Sequence, residues 1–361
     1  MSKPLRVGLV GTGSISWYHL PAYMQYPDII KLTAVCDIRR EEMEKFAGKA
    51  GVTACYSDFA EMLEKADIDA VDICTIHDQH HPQVLAAAAA GKQVFLEKPM
   101  GCSMQECYSM VNATKNAGVT FMVGHDLRYM PHTRAIKRII ESGELGQVRV
   151  TRCELISNMV PGGGGGGGYK LGQWLSDPKR AGGGTMISGM IHQIDLLRYF
   201  VGDIKAVNAV SRSVHPQYQN GAEEYACATL EFENGAIGDI LIISSPMRST
   251  VGCQYTLYGD EGTIYSTQAE DRTYQFDHGM IASRKRGNQG KTFNDFTPIE
   301  PLRESLTGDN PFVNEILHFA SCCREGEEPL TSGKDNLGTV KVIFGIYESF
   351  KTGKKIDLST L

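Results

Sequence analysis

Five short apolar runs, each set off from the next by a helical stretch, fill the first third of the chain and restrict it to one kind of fold. The runs are "RVGLVG", "KLTAVCD", "DAVDICTI", "KQVFLEK" and "VTFMVGHD". Each is short and nearly continuous in its apolar residues, as a parallel strand covered on both faces must be. Between them lie "RREEMEKFAGKAG", "SDFAEMLEKAD", "HPQVLAAAAAGK" and "SMQECYSMVNATKNAG". The second of these predicts a helix capped by Ser57, and the fourth opens with a capping box from Ser103 to Glu106. Strands alternating with helices of this length make βαβ units, and βαβ units make a doubly wound parallel sheet. This expectation covers residues 1–124. The segment "MPHTRAIKRIIESGELG" then predicts a linking helix.

Past about residue 147 the pattern changes. "QVRVTRCELIS", "IKAVNAVSRSV", "YACATLEFENGAIGDILIISS" and "CQYTLYGDEGTIYST" read as strands, two of them with hairpin turns at Glu-Asn-Gly and Asp-Glu-Gly. Two helical stretches, "NPFVNEILHFASCCREG" and "DNLGTVKVIFGIYESFKTG", end the sequence. The expectation for residues 125–361 is a second domain built on a mostly antiparallel sheet, with the last helices able to pack back on the first domain. A chain of 361 residues is long enough for both.

The turn after the first strand carries chemistry. In "GLVGTGSISWYHL", Gly11 permits a tight turn and Gly13 lets the backbone approach a pyrophosphate. The helix that follows offers free N–H groups at Ser14 and Ile15 and a positive end for the phosphates. Ser16 stands where the third fingerprint glycine would be, a position that asks only for a small residue. Asp37 ends the second strand, where a carboxylate accepts hydrogen bonds from both adenosine ribose hydroxyls and favours NAD. Arg39 and Arg40 follow it and could hold a 2′-phosphate, which leaves NADP as the less favoured cofactor.

Two further constellations point to redox chemistry on an alcohol. Glu97-Lys98-Pro99 closes the fourth strand, at the sheet edge where doubly wound folds bind ligands. A lysine there can stabilise the alkoxide that develops as hydride leaves. In "GGGTMISGMIHQIDLLRYFVG", a turn of about 100° per residue puts Ile187, Met190, Ile191, Ile194, Leu197 and Val201 on one face. Ser188, His192 and Asp195 fall on the other, so His192 faces solvent or a cleft rather than the core. A neutral imidazole in a cleft can take the hydroxyl proton. Asp195 either orients it or faces water.

Composition excludes other classes. The net charge of −6 leaves no basic footprint for nucleic acid. No apolar run reaches the roughly 18 residues that a membrane helix needs. The ten cysteines show no C-x-x-C pair and no zinc spacing, so no metal is expected and the thiols read as reduced. The sequence enters its first strand almost at once, and the expected location is the cytoplasm.

With these segments in view, the chain resembles the Gfo/Idh/MocA family, named for glucose-fructose oxidoreductase and inositol dehydrogenase. The resemblance runs through "GLVGTGSI", "AVCDIRRE", "DIDAVDICTIHDQHHPQVLAAAAAGKQVFLEKP", "GGGTMISGMIHQIDLLRYF" and the closing segment from "HFASCCREG" onward. It implies an N-terminal NAD(P)-binding Rossmann domain, a C-terminal α/β domain with a large open sheet, and a nicotinamide between them. The family's E-K-P lysine is Lys98 and its D-x-x-x-H histidine is His192. Its T-P-N-x-x-H turn, which skirts the cofactor, is "TIHDQH", where Thr75 and His80 match and Ile76 and His77 do not. The implied cofactor set is Gly11, Gly13, Ser14, Ile15, Asp37, Arg39, Thr75, His77, His80, Glu97 and Lys98. The implied substrate set is Lys98, His125, Arg128, Tyr129, Trp174, Ser188, His192 and Asp195; for Arg128 a structural ion pair is the competing reading. Ser188 replaces the family aspartate, so His192 works with Lys98 alone, or another carboxylate fills in, or the chemistry is lost.

The implied function is NAD-dependent oxidation of a secondary alcohol on a sugar, cyclitol or glycoside, with ring C3 of a glycoside one candidate position. Alternatives are a redox-neutral enzyme that keeps and recycles its NAD, and a non-catalytic sensor of NAD or sugar. Relatives associate through the open sheet, which implies a homo-oligomer. The seven glycines at 162–168 are neither phosphate cradle nor linker, because no helix follows and the resemblance continues on both sides. They read as a poorly ordered loop, with Tyr169, Lys170 and Trp174 able to fold over a cleft, whereas Gly182 to Gly184 read as an ordered close approach before the His192 helix.

Overall fold

The computed structural model describes residues 3–157, 173–218, 221–244, 252–267, 278–287, 295–303 and 307–361. The loop expected at 162–168, with Tyr169 and Lys170, lies outside the described residues. The chain divides into two compact units, one of residues 1–126 and 310–337, the other of residues 127–309 and 338–361.

In the first unit, β1 (Leu5–Val10), α1 (Ser16–Gln25), β2 (Ile30–Cys36), α2 (Arg40–Ala50), β3 (Ala54–Tyr56), α3 (Phe59–Lys65), β4 (Ala70–Ile73), α4 (His77–Ala89), β5 (Gln93–Glu97), α5 (Met104–Ala117) and β6 (Phe121–Gly124) alternate as expected. The sheet is parallel, in the order β3-β2-β1-β4-β5-β6. That order reverses direction between β1 and β4, so the carboxyl ends of β1, β4 and β5 share the edge where such sheets bind ligands. Val7, Leu9, Val71, Ile73, Val94 and Leu96 are fully buried, which explains why these runs lack polar alternation.

Two local expectations change. Strand β3 is too short, at three residues, to leave a periodic signal. Helix α3 is capped by Asp58, whose carboxylate accepts from the Glu61 amide at 2.8 Å, and not by Ser57. Asp58 is the last extended residue before the helix, and only that position aims a side chain at the free amides.

The second unit contains α6 (Pro131–Glu141), β7 (Val148–Ile156), α7 (Pro178–Ala181), α8 (Ile191–Val201), β8 (Ile204–Arg212), β9 (Tyr225–Phe232), β10 (Ile237–Ile243), β11 (Gly252–Gly259), β12 (Gly262–Thr267), β13 (His278–Ser283) and β14 (Thr297–Pro298). Helix α9 (Pro311–Glu325) belongs to the first unit, α10 (Gly333–Thr352) crosses the division, and β15 (Ile356–Asp357) ends the large sheet. Its nine strands run β14-β13-β12-β11-β7-β10-β9-β8-β15, antiparallel except for the β7–β10 pair. The core lies between one face of this sheet and α6, α8 and the later turns of α10, with Ile187, Ile194, Leu257, Ile264, Ile281 and Ile343 fully buried.

The entry to α8 is pinned by one carboxylate. Residues Met186–Met190 form a π-helical turn that runs directly into α8. The Glu223 carboxylate accepts from the Met186 amide at 2.7 Å, the Gly184 amide at 2.9 Å and the Tyr347 hydroxyl at 3.0 Å, which occupies donors a helix start leaves without partners. A side chain on Gly183 would fall on the Tyr347 hydroxyl and one on Gly184 on the Glu223 backbone, so these positions admit only glycine.

Burial of Glu223 outweighs these donors and raises its carboxyl from 4.5 to about 7. Between about pH 4.5 and 7 the folded state therefore keeps a proton that the unfolded chain has released. Stability falls as pH rises through that window and the full penalty, on the order of 3 kcal/mol, is present above it. Glu223→Gln cannot ionise. Urea denaturation of both proteins should show wild type losing more stability than Glu223→Gln between pH 5 and pH 8. Parallel pH dependences for the two proteins would show that Glu223 does not titrate there.

Candidate active site

The dinucleotide turn is built as a backbone cradle. Gly11 has φ of 92°, and a Cβ there would lie 2.6 Å from the Cys74 carbonyl oxygen. Its amide donates to the Cys36 carbonyl at 2.8 Å. Ser16, at the third fingerprint position, is fully buried and donates to the Gly13 carbonyl at 2.7 Å, so serine both fits and braces the turn. Ser14 is exposed and Ile15 is half-buried ahead of the first turn of α1. The helix start, the room that only glycine leaves and the acid at the end of β2 together fit a dinucleotide.

Asp37 is already engaged in the structure. Its Oδ2 accepts from the Thr12 amide at 2.7 Å and the Thr12 hydroxyl at 3.0 Å, and its Oδ1 from the Arg39 amide at 2.8 Å. The Arg39 guanidinium lies across both oxygens at 3.2 and 3.1 Å. Burial by itself would raise the carboxyl, but the Arg39 and Thr12 donors outweigh it and hold Asp37 below the usual carboxylate range. It is therefore an anionic acceptor at the end of β2.

His80 lies between the turns after β4 and β5. Its Nδ1 is 2.8 Å from the Pro99 carbonyl oxygen and its Nε2 is 3.1 Å from the Thr75 carbonyl oxygen. Burial lowers its pKa, so the ring is neutral and donates through one nitrogen. Thr75 donates to the Gln83 side chain at 2.7 Å, and His77 is buried with its ring 5.7 Å from that of His80. Lys98 is half-buried on the turn that His80 braces. Glu97 points away from solvent, its Oε1 3.0 Å from Nε2 of His19.

His19 was not among the residues singled out by sequence, nor were Asp72, Glu223 and Glu315. A usable signal existed for Asp72, an acid inside the buried run "DAVDICTI". Nothing local marks His19, whose partners lie 53 and 78 residues away.

The remaining candidates separate into two groups. Arg128 and Asp195 are buried and hold each other, Nε to Oδ2 at 2.6 Å and Nη2 to Oδ1 at 2.7 Å, with the Thr339 hydroxyl donating to Asp195 at 2.9 Å. This is the ion-pair reading of Arg128. Asp195 is buried and does not face water. Ile187, Met190, Ile191, Ile194 and Leu197 are buried as the helical wheel places them, but Asp195 departs from it because α8 is buried almost all round, Gln193 and Arg198 included. Tyr129 is fully buried, and His125 is buried with its Nε2 accepting from the Asn336 amide at 2.6 Å. His192 and Ser188 keep partial exposure, and the Ser188 hydroxyl donates back to the Gly184 carbonyl at 2.7 Å. Trp174 is half-buried in a short 3-10 turn, Gln173–Ser176. Lys98 belongs to the first unit and His192 to the second.

No disulfide joins the described cysteines, and among the described residues no helix is long and apolar enough to cross a membrane. Residues 5–125 match the family model for the oxidoreductase family with an NAD-binding Rossmann fold, and residues 137–358 match the model for that family's C-terminal α/β domain. A scyllo-inositol 2-dehydrogenase (NAD(+)) from Bacillus subtilis is 28% identical over 362 residues, covering 99% of this chain and 97% of its own length. A myo-inositol 2-dehydrogenase from Thermotoga maritima is 25% identical over 359 residues, 98% of each chain. Among solved structures, levoglucosan dehydrogenase in complex with NADH and levoglucosan superposes with a TM-score of 0.84 over 99% of this chain and 100% of its own, at 23% identity, a likeness of fold. The chain belongs to the Gfo/Idh/MocA family of NAD-dependent oxidoreductases.

Proposed function

We propose that the protein oxidises a secondary alcohol on a sugar, cyclitol or glycoside to a ketone, with Lys98 and His192 acting on the reacting hydroxyl. The observation that carries this reading is the position of Lys98. It follows the buried Glu97 at the carboxyl end of β5, on the same sheet edge as the dinucleotide turn after β1. Relatives named as inositol, apiose and levoglucosan dehydrogenases support the substrate class.

Bound NAD supplies the hydride acceptor. The chain's own residues do the rest. The Lys98 ammonium donates a hydrogen bond to the substrate oxygen and stabilises it as negative charge grows. Neutral His192 takes the hydroxyl proton, so one hydride and one proton leave the alcohol and a ketone remains. Ser188 carries no charge to raise the basicity of His192, and its hydroxyl is spent on the Gly184 carbonyl. Arg128, Asp195 and Tyr129 support this helix and the segment before α6 rather than the substrate.

Formation of NADH, followed at 340 nm with myo-inositol, scyllo-inositol, levoglucosan, D-glucose and methyl glucosides, identifies the substrate. Lys98→Ala should lower kcat/KM by about 10²- to 10³-fold and His192→Ala by about 10²- to 10⁴-fold. No NADH from any of these compounds, or full activity in both variants, would remove the proposal.

Cofactor choice gives a second test. Wild type should prefer NAD over NADP by at least about tenfold in kcat/KM, because anionic Asp37 repels a 2′-phosphate. Asp37→Ala should move the ratio towards NADP by a similar factor, since Arg39 is then free to meet the phosphate. An unchanged ratio would show that Asp37 does not face the ribose.

The open face of the large sheet supports a homo-oligomer. Val150, Ile237 and Tyr258 are exposed, and they are register partners across β7, β10 and β11, so they form one apolar row. Val150→Asp should shift the species seen by light scattering towards monomer. An unchanged mass would place any interface elsewhere.

A further inference from the structure

Behind Lys98 the first unit buries more acid than its reading as a cofactor domain needs. Asp72 on β4, Glu97 on β5 and Glu315 on α9 are each no more than 6% exposed, and His19 on α1 is fully buried among them. Among the described residues, His19 is the cation paired with Asp72 and Glu97, its Nδ1 2.9 Å from Asp72 Oδ2 and its Nε2 3.0 Å from Glu97 Oε1. The Tyr23 hydroxyl donates to the same Asp72 oxygen at 2.7 Å, and the Cys74 thiol lies 3.3 Å from the other.

Two carboxylates in a dry interior need a counter-charge, and an imidazolium between them supplies it. Burial opposes protonation of His19, but the Asp72 charge and hydrogen bond outweigh it and hold the ring well above its ordinary value. Each ring nitrogen faces a carboxylate oxygen at hydrogen-bond distance, as a ring protonated on both nitrogens requires. Glu315 takes the opposite course. Neither of its oxygens has a partner among the described residues, and burial together with Asp126 and Glu97 raises its carboxyl well above the usual range. It is a neutral acid that closes the cluster without adding charge.

The chain of contacts ends at the reacting lysine. Glu97 holds His19 with one oxygen and accepts from the Lys98 amide at 3.2 Å with the other. Room for its carboxylate depends on Gly124, where a Cβ would come within 3.1 Å of Oε1. His19 lies one turn into the helix that begins at the dinucleotide turn.

We propose that His19 is a positioning residue for Lys98: it fixes Glu97, Glu97 fixes the Lys98 backbone, and α1 thereby ties the cofactor turn to the lysine. This rests on the reading of Lys98 as the group that meets the substrate oxygen. A histidine serving only the fold would affect Lys98 and the rest of the domain alike.

The test is a double-mutant cycle with the sugar that turns over best in the panel above. His19→Ala would leave two buried carboxylates without a cation, so the working variant is His19→Gln with Asp72→Asn, which removes one charge of each sign. The pair should lower kcat at least tenfold while the NAD Kd changes less than twofold. In a Lys98→Ala background the same pair should lower kcat less than threefold further. Equal losses in both backgrounds, or no loss with Lys98 present, overturn the inference. Full activity of Lys98→Ala by itself overturns the reading of Lys98 and this inference with it, and is told apart from additive losses by the single variant.

Discussion

The first unit depends on the hydrogen bonds that hold a buried imidazole between two buried carboxylates. An ion taken from water into a protein interior costs several kcal/mol even after relaxation, so such groups survive only when every partner is in place. His19 meets Asp72 and Glu97 with one nitrogen each, and Tyr23 occupies Asp72 further. The three groups come from α1, β4 and β5, and none can move without leaving a charge uncompensated. The arrangement therefore specifies where the cofactor turn and the lysine turn stand relative to each other.

The second unit uses the same physics with a different donor set. Glu223 gathers two backbone amides at the start of the His192 helix and a hydroxyl from α10, while Arg128 and Asp195 neutralise each other near its middle. A helix so nearly buried has little water to satisfy its charged groups, and Asp195 and Arg198 are matched to partners within the unit. The cost is that Ser188 and Asp195, which a helical wheel offers as site residues, are tied to the backbone or to an arginine. Partial exposure along this stretch is left to Ser188, Gly189, His192, Tyr199 and Val201.

Much of the first unit was legible because its signals are local. An apolar run of four to six residues between helices reads as a covered strand wherever it stands, and Gly11 announces a turn through its own backbone. The capping box held in part: Ser103 accepts from the Glu106 amide, but the Glu106 carboxylate takes the Cys102 amide. Strand β3 was too short to be seen, and β13, β14 and β15 carry no alternation strong enough to mark them. The wheel through Ile187, Met190, Ile191, Ile194 and Leu197 marked a buried face, but it carried no sign that Asp195 on the other side is buried too. Arg128 showed an arginine near a strand end and nothing about its partner.

The amino-acid order alone determined that this chain forms a doubly wound sheet followed by a mostly antiparallel one. It also determined that a glycine turn opens at Gly11 and that an acid ends the second strand at Asp37. These follow from periodicity and backbone freedom, which act between neighbours. The folded structure alone decided which polar groups are buried together. His19 is 53 residues from Asp72 and 78 from Glu97, Arg128 is 67 from Asp195, and Glu223 is 37 from Met186. Desolvation couples such groups only after the chain has brought them into one dry volume, so no reading of adjacent residues contains them.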